Sequence, residues 1–332
     1  MAEKSSRAEK RARVEPAALC STAAASGAGS KAFSAWLASS EYGVIDARPA
    51  AAFAACRIDG TTNLALSTIE TRFFELPPPH RKAMLGLVAG GGFDGALAMR
   101  LTARGYVVVF ALTWGEAHAA ATARAAARVL SDIALTPASI ARLWSPSPCL
   151  EALVDDIESA TTPRYALDFG CGVGRDCVFL AQRGWSVGAI DYLAKKALTK
   201  CVDLARAYLV DDRVDALAID LTVEGCTASA ELAPLIARAG LLHLARFMHR
   251  PLIAELLRCA PIGCCIVVHQ FCEGSQFVGP CRPKKPRFLM QPGELRRDAE
   301  ARGWEVLSDE EHPIDDGRPL SWFLAVRRSE KT

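Results

Sequence analysis

The 332 residues contain no apolar run near the ~20 that a membrane-crossing helix needs. The first residues also lack the apolar block of a secretory signal. No charge of one sign dominates: 39 Lys and Arg face 37 Asp and Glu, so neither nucleic acid nor a membrane is expected as a general partner. These absences lead to the expectation of a soluble, cytoplasmic chain. Cysteine is not scarce, at twelve, but no C-x-x-C occurs and no Cys/His pairing has zinc-ligand spacing. Most cysteines, Cys177 and Cys201 among them, fall in apolar or helical patterns, where a free thiol behaves as a small hydrophobe. No metal site is expected. Cys264-Cys265 is an oddity, because neighbours on a strand point to opposite faces and both should not reach the core.

The length suits two domains. Residues 1–31 are polar and rich in Ala, Ser and Gly, which predicts a mostly disordered tail. Its Lys10-Arg11-Ala12-Arg13 cluster reads as solvated charge or a weak nuclear-import signal. Order is predicted from a short helix at Lys31–Ala38 onward, followed by a strand at Gly43–Ile45 that ends in Asp46-Ala-Arg48. Met84–Ala89 and Tyr106–Leu112 read as buried strands around a helix at Gly95–Ala103. Glu116–Leu130, rich in Ala and Arg, reads as a helix. Thr136-Pro137 and Ser145-Pro-Ser-Pro148 then punctuate a linker at 131–150. A second alternating series runs from Tyr165 to Val326. Strands alternating with helices predict parallel sheets with right-handed crossovers, an α/β class.

The most informative stretch is Asp168-Phe-Gly170-Cys171-Gly172-Val-Gly174. It follows an apolar strand, Tyr165–Phe169, and opens a helix over Asp176–Arg183. Glycines there let the backbone turn sharply and approach a ligand with no Cβ in the way. A second strand, Ser186–Ile190, ends in Asp191, where a carboxylate can accept hydrogen bonds from ribose hydroxyls. A dinucleotide site favours G-x-G-x-x-G, with helix amides facing pyrophosphate. Here the third glycine comes one residue early and Asp168 precedes the turn, which suits a cationic ligand instead. Asp176, in the first helical turn, adds negative charge where the helix dipole favours it.

This segment resembles the class I S-adenosylmethionine-dependent methyltransferases. The resemblance implies S-adenosylmethionine as cofactor, held by Asp168, Gly170, Cys171, Gly172, Gly174, Asp191 and Tyr192. It also implies a third strand at Asp215–Ile219, with Asp220 and Leu221 beside the adenine ring, and further strands at Gly240–Ala245 and Ile262–Val268. Arg246-Phe-Met-His249-Arg250-Pro251, Phe288-Leu-Met-Gln-Pro-Gly-Glu-Leu295, Trp304-Glu-Val-Leu307 and Trp322-Phe-Leu-Ala325 resemble the tellurite-resistance and thiopurine branch. The likeness spans roughly 150–328 and implies a Rossmann-like seven-stranded sheet, its last strand antiparallel, acting on a small-molecule acceptor. Val223–Ala239 is longer than that pattern, which leaves the substrate-side wall open. Arg246 and His249 are the candidate catalytic residues: Arg246, with Arg250, as an anion clamp, and His249 as a base. His269 is a further candidate. The basic loop with Arg282, Lys284, Lys285 and Arg287 reads as a lid or as solvated charge.

Upstream, Asp46-Ala-Arg48, Arg57-Ile-Asp-Gly60 and Asn63-Leu-Ala-Leu66 resemble the rhodanese pattern over about 32–115, within a domain at 32–130. In that family a cysteine loop follows the strand corresponding to Leu85–Val88. Here the residues are Ala89-Gly-Gly-Gly-Phe-Asp-Gly95, without the thiolate that carries sulfur. Asp94 also works against anion binding by this loop, and Cys56 substitutes only if the fold brings it there. The resemblance therefore implies a non-catalytic module for docking a protein partner, regulation or dimerisation. Non-enzymatic scaffolding by both domains, or sulfur transfer linked to the second, remain alternatives.

Overall fold

The computed structural model describes residues 26–79, 83–91, 95–124, 129–279, 282–314 and 316–329. Contacts divide the chain into two units, one reaching Leu135 and including Ala141–Leu143, the other made of Thr136–Ile140 and the chain from Trp144. Among the described residues no helix is long and apolar enough to cross a membrane.

The first unit contains α1 (Ser26–Ser39), β1 (Gly43–Asp46), α2 (Ala50–Ala55), β2 (Cys56–Ile58), β3 (Thr61–Asn63), β4 (Met84–Ala89), α3 (Ala96–Ala103), β5 (Val107–Thr113), α4 (Trp114–Thr122) and β6 (Val129–Ser131). Its parallel sheet has the order β3-β1-β4-β5, and β2 pairs antiparallel with β6. Two expectations are corrected. Helix α1 begins five residues before the predicted end of the tail, because Phe33 and Trp36 are buried and Phe33 packs edge-on against Phe110 at 5.3 Å. Tertiary packing of one face, more than local propensity, sustains such a helix. The helix predicted over Glu116–Leu130 instead starts at Trp114, where Thr113 and Glu116 form a capping box, and ends at Thr122. Val129–Ser131 joins β2 as a strand; pairing outweighs alanine-rich propensity.

Asp46 and Arg48 form a buried ion pair of 2.6 Å, and the guanidinium lies 3.3 Å above the Trp114 ring. Cys56 Sγ sits 3.2 Å from Ser131 Oγ. Of the glycine loop after β4, Gly92, Phe93 and Asp94 lie outside the described residues, as do Lys10–Arg13 and the tail before Ser26.

The second unit contains α5 (Pro148–Ala160), β7 (Tyr165–Phe169), α6 (Arg175–Gln182), β8 (Ser186–Asp191), α7 (Thr199–Ala207), β9 (Val214–Ala218), α8 (Ala233–Ala237), β10 (Leu241–Ala245), α9 (Arg250–Cys259), β11 (Cys265–His269), α10 (Glu294–Glu300), β12 (Trp304–Pro313) and β13 (Pro319–Arg327). Its seven-stranded sheet runs β12-β13-β11-β10-β7-β8-β9, with β13 antiparallel to both neighbours and the central strands parallel. Leu167, Phe169, Leu242, Leu244, Ile266 and Val268 form one core with residues of α8, α9 and α10. Helices α5 and α6 pack on the sheet through β11, β13, β7 and β8. Cys264 and Cys265 are both buried, contrary to expectation. β11 is an interior strand, and sheets covered on both faces bury consecutive residues.

Candidate functional site

The turn between β7 and α6 depends on three left-handed glycines, Gly170 at φ +79°, Gly172 at +57° and Gly174 at +78°. The amides of Gly170 and Cys171 donate to Ile190 O at 2.9 and 3.0 Å, clamping the turn to the end of β8. A side chain at Gly170 would crowd Phe247, and one at Gly174 would collide with Cys201 Sγ. At Gly172 a Cβ would meet nothing within 4 Å, so the outer side of the turn there is bare backbone. Asp191 closes one edge: its Oδ2 accepts from Gly172 N at 3.1 Å and its Oδ1 from Leu193 N at 2.9 Å. Each oxygen has lone-pair capacity beyond one amide.

Beneath the turn lies a polar cluster that comes from sheet register. Asp168 is paired with His243 on one side and Ala189 on the other. Asp191, two residues after Ala189, therefore shares the face of Asp168. Asp168, expected to meet a cationic ligand, faces inward here. It is only 2% exposed, and its oxygens take His243 Nδ1 at 2.9 Å and Cys177 Sγ at 3.1 Å. Asp176 likewise faces inward, accepting from Ser147 N at 2.6 Å and lying 3.7 Å from His243 Nε2. Burial alone would lower the His243 pKa, but the charge and hydrogen bond of Asp168, with the charge of Asp176, move it upward. Burial is also the main reason that the Asp176 carboxyl is raised.

His269 sits two residues beyond Val267, the partner of His243, and so lies on the same face. Its Nδ1 is 2.7 Å from Ser147 Oγ, and burial, followed by the nearby charges of Arg246 and His243, lowers its pKa to about 3. The unfolded chain thus takes up a proton near pH 6.5 that the folded chain refuses until about 3. Stability contributed by neutral His269 is present above about pH 6.5 and is lost as pH falls towards the folded value. Urea midpoints at pH 7 and pH 5 should show this. The wild type is expected to lose about 1 kcal/mol more per pH unit than His269→Asn; equal losses would contradict the buried neutral imidazole.

The remaining expected residues divide by environment. Tyr192 is 66% exposed beside Asp191. Asp220 Oδ1 accepts from Thr222 Oγ1 and N at 2.7 and 2.9 Å, which lowers its pKa. The Leu221 side chain is buried in the core shared with α8 and α9, which leaves its backbone for a ligand. Arg246 is exposed at the end of β10 in the left-handed region, φ +58°, with its guanidinium 5.9 Å from the Phe271 ring. Non-glycine residues held there cost roughly 1–3 kcal/mol and cluster at functional sites. His249 caps α9, its Nδ1 accepting from Leu252 N at 3.3 Å, so that nitrogen is committed to the helix. Arg250 departs from the expected anion clamp. It pairs with Glu294 at 2.5 Å and donates to Leu289 O and Arg287 O, fastening α10 and its loop rather than presenting an anion clamp. In the basic loop, Lys284 Nζ donates to the carbonyls of Gln276 and Gly279.

Three residues of this region had no predicted role: His243, Ser147 and Cys201. A histidine inside the apolar run Leu241–Leu244 was the only local signal, since its meeting with Asp168 depends on strand register.

Residues 149–312 match the model of the tellurite resistance protein TehB family. That match spans the turn, Asp191 and the strand ends around it. Solved structures similar to this chain include TehB from Haemophilus influenzae, at 16% identity over 54% of this chain and 62% of that one, TM-score 0.39. Another is magnesium protoporphyrin IX methyltransferase from Synechocystis PCC 6803 with bound S-adenosylmethionine, at 18% identity over 54% and 76%, TM-score 0.39. A third is 1,6-didemethyltoxoflavin-N1-methyltransferase from Burkholderia thailandensis with bound S-adenosylhomocysteine, at 17% identity over 55% and 77%, TM-score 0.40. Among curated proteins, none matches this sequence.

Proposed function

We propose that the second unit, spanning about 151–328, is a methyltransferase that binds S-adenosylmethionine and methylates a small-molecule acceptor. The carrying observation is the bare turn at Gly172 locked to the Asp191 carboxylate at the end of β8. Ligands of such sheets bind off the carboxyl ends of the strands. In this reading the ribose hydroxyls donate to Asp191, Tyr192 and the Asp220–Leu221 segment flank the adenine, and the bare backbone at Gly172 borders the amino-acid end. Asp168 acts as a positioning residue: it fixes β7 to β10 through His243 and so sets the turn.

The cofactor supplies a methyl group already activated on sulfonium. The protein's work is then alignment of the acceptor, an effect that can be worth about 7–11 kcal/mol. Arg246, strained and exposed at the end of β10, is placed to hold an anionic acceptor; with Nδ1 of His249 used in the helix cap, only Nε2 is left for proton transfer. The first unit is read as a rhodanese-like module without sulfur chemistry, which docks a protein partner; its Asp46–Arg48 pair is then an internal brace.

Release of S-adenosylhomocysteine should be followed with the full chain against small thiols, chalcogen oxyanions and heterocyclic amines. One of these classes is expected to give turnover that Arg246→Ala lowers. Cofactor binding without turnover on any of them would reject the acceptor class, and absence of binding heat would reject the enzyme reading in favour of a scaffold.

A further inference from the structure

Cys171 on the turn, Cys177 on α6 and Cys201 at the start of α7 are 6 and 24 residues apart in the chain, a spacing unlike that of a zinc finger. In the fold their Sγ atoms all lie within 4.8 Å of one another, two of the residues being fully buried and Cys171 half-buried. Glycine at 174 makes the approach possible, since a Cβ there would lie 2.2 Å from Cys201 Sγ. We propose that these three thiols form a binding site for a soft divalent cation of the zinc and cadmium type, directly under the glycine turn.

The geometry needs little adjustment. A zinc–thiolate bond is about 2.3 Å, so three sulfurs around one ion lie roughly 4 Å apart, a contraction of less than about 1 Å from the present limit. Three thiolates select soft cations over magnesium or calcium, which prefer oxygen. On binding, each thiol releases its proton to solvent, and three negative sulfurs face two positive charges on the ion. Three protein ligands leave the fourth position of a tetrahedral ion for a solvent molecule. Asp168, 3.1 Å from Cys177 Sγ, adjoins the site, and its other oxygen is held by His243. The ion would add a direct tie between the turn, α6 and α7. The inference does not depend on methyl transfer.

The test is a titration of the full chain with cadmium, kept reduced by a phosphine, followed by the ultraviolet charge-transfer band of cadmium thiolate. One ion per chain with a three-thiolate band is expected. Cys201→Ser and Cys171→Ser should each weaken it by about tenfold or more, while Cys259→Ser, an exposed thiol remote in the chain, should leave it unchanged. Cys171→Ser, half-buried on the turn, gives the reading even if Cys201→Ser does not fold. Binding that is absent in the wild type, or equally tight in the Cys171 variant, would overturn the site.

Discussion

Asp168→Ala is expected to destabilise the folded chain by about 3–5 kcal/mol, because it leaves His243 buried without the carboxylate that holds it. His243 is fully buried, between Asp168 and Asp176, and its Nε2 has no hydrogen-bond partner among the described residues. Removing one member of such a pair exposes the full desolvation cost of the other. The pH dependence follows from the raised folded pKa of His243. Stabilisation by the pair is complete below the unfolded value near 6.5 and fades as pH rises through the folded value. The effect of the substitution should therefore be largest at or below about pH 6.5 and shrink in mild alkali. Urea unfolding at pH 6 and pH 9 measures both points. A loss under about 1 kcal/mol at pH 6 would mean that the pair is not a structural link between β7 and β10.

Asp191→Ala is expected to weaken S-adenosylmethionine binding by ~1.5–3 kcal/mol, roughly 10- to 150-fold, through loss of hydrogen bonds to a charged acceptor. Part of this would come from the turn itself, because the same carboxylate holds Gly172 N and Leu193 N. Asp191→Asn separates the two contributions. It keeps one acceptor oxygen for an amide but loses the charge, so calorimetry should place it between the wild type and alanine. Equal affinity for all three proteins would remove Asp191 from the site.

The sequence carried the parts of this architecture that are local. Apolar runs at Tyr165–Phe169 and Ser186–Ile190, with glycines between, marked a strand, a turn and a helix start because each depends on neighbours in the chain. The register that sets His243 opposite Asp168 is not local, and neither is the meeting of Cys171, Cys177 and Cys201, of which Cys177 and Cys201 looked like packing residues. Arg250 misled for the same reason: its neighbours in the chain suggested a ligand, whereas Glu294 claimed its side chain. The helix over Glu116–Leu130 failed because alanine content says nothing of β2, the strand that Val129–Ser131 joins.

The most direct measurement is an experimental structure of the chain with S-adenosylhomocysteine. Ribose hydroxyls within hydrogen-bond distance of the Asp191 carboxylate, and the homocysteine end lying along the bare backbone at Gly172, are the expected result. A ligand bound elsewhere, with that turn closed over by protein, would contradict the cofactor site.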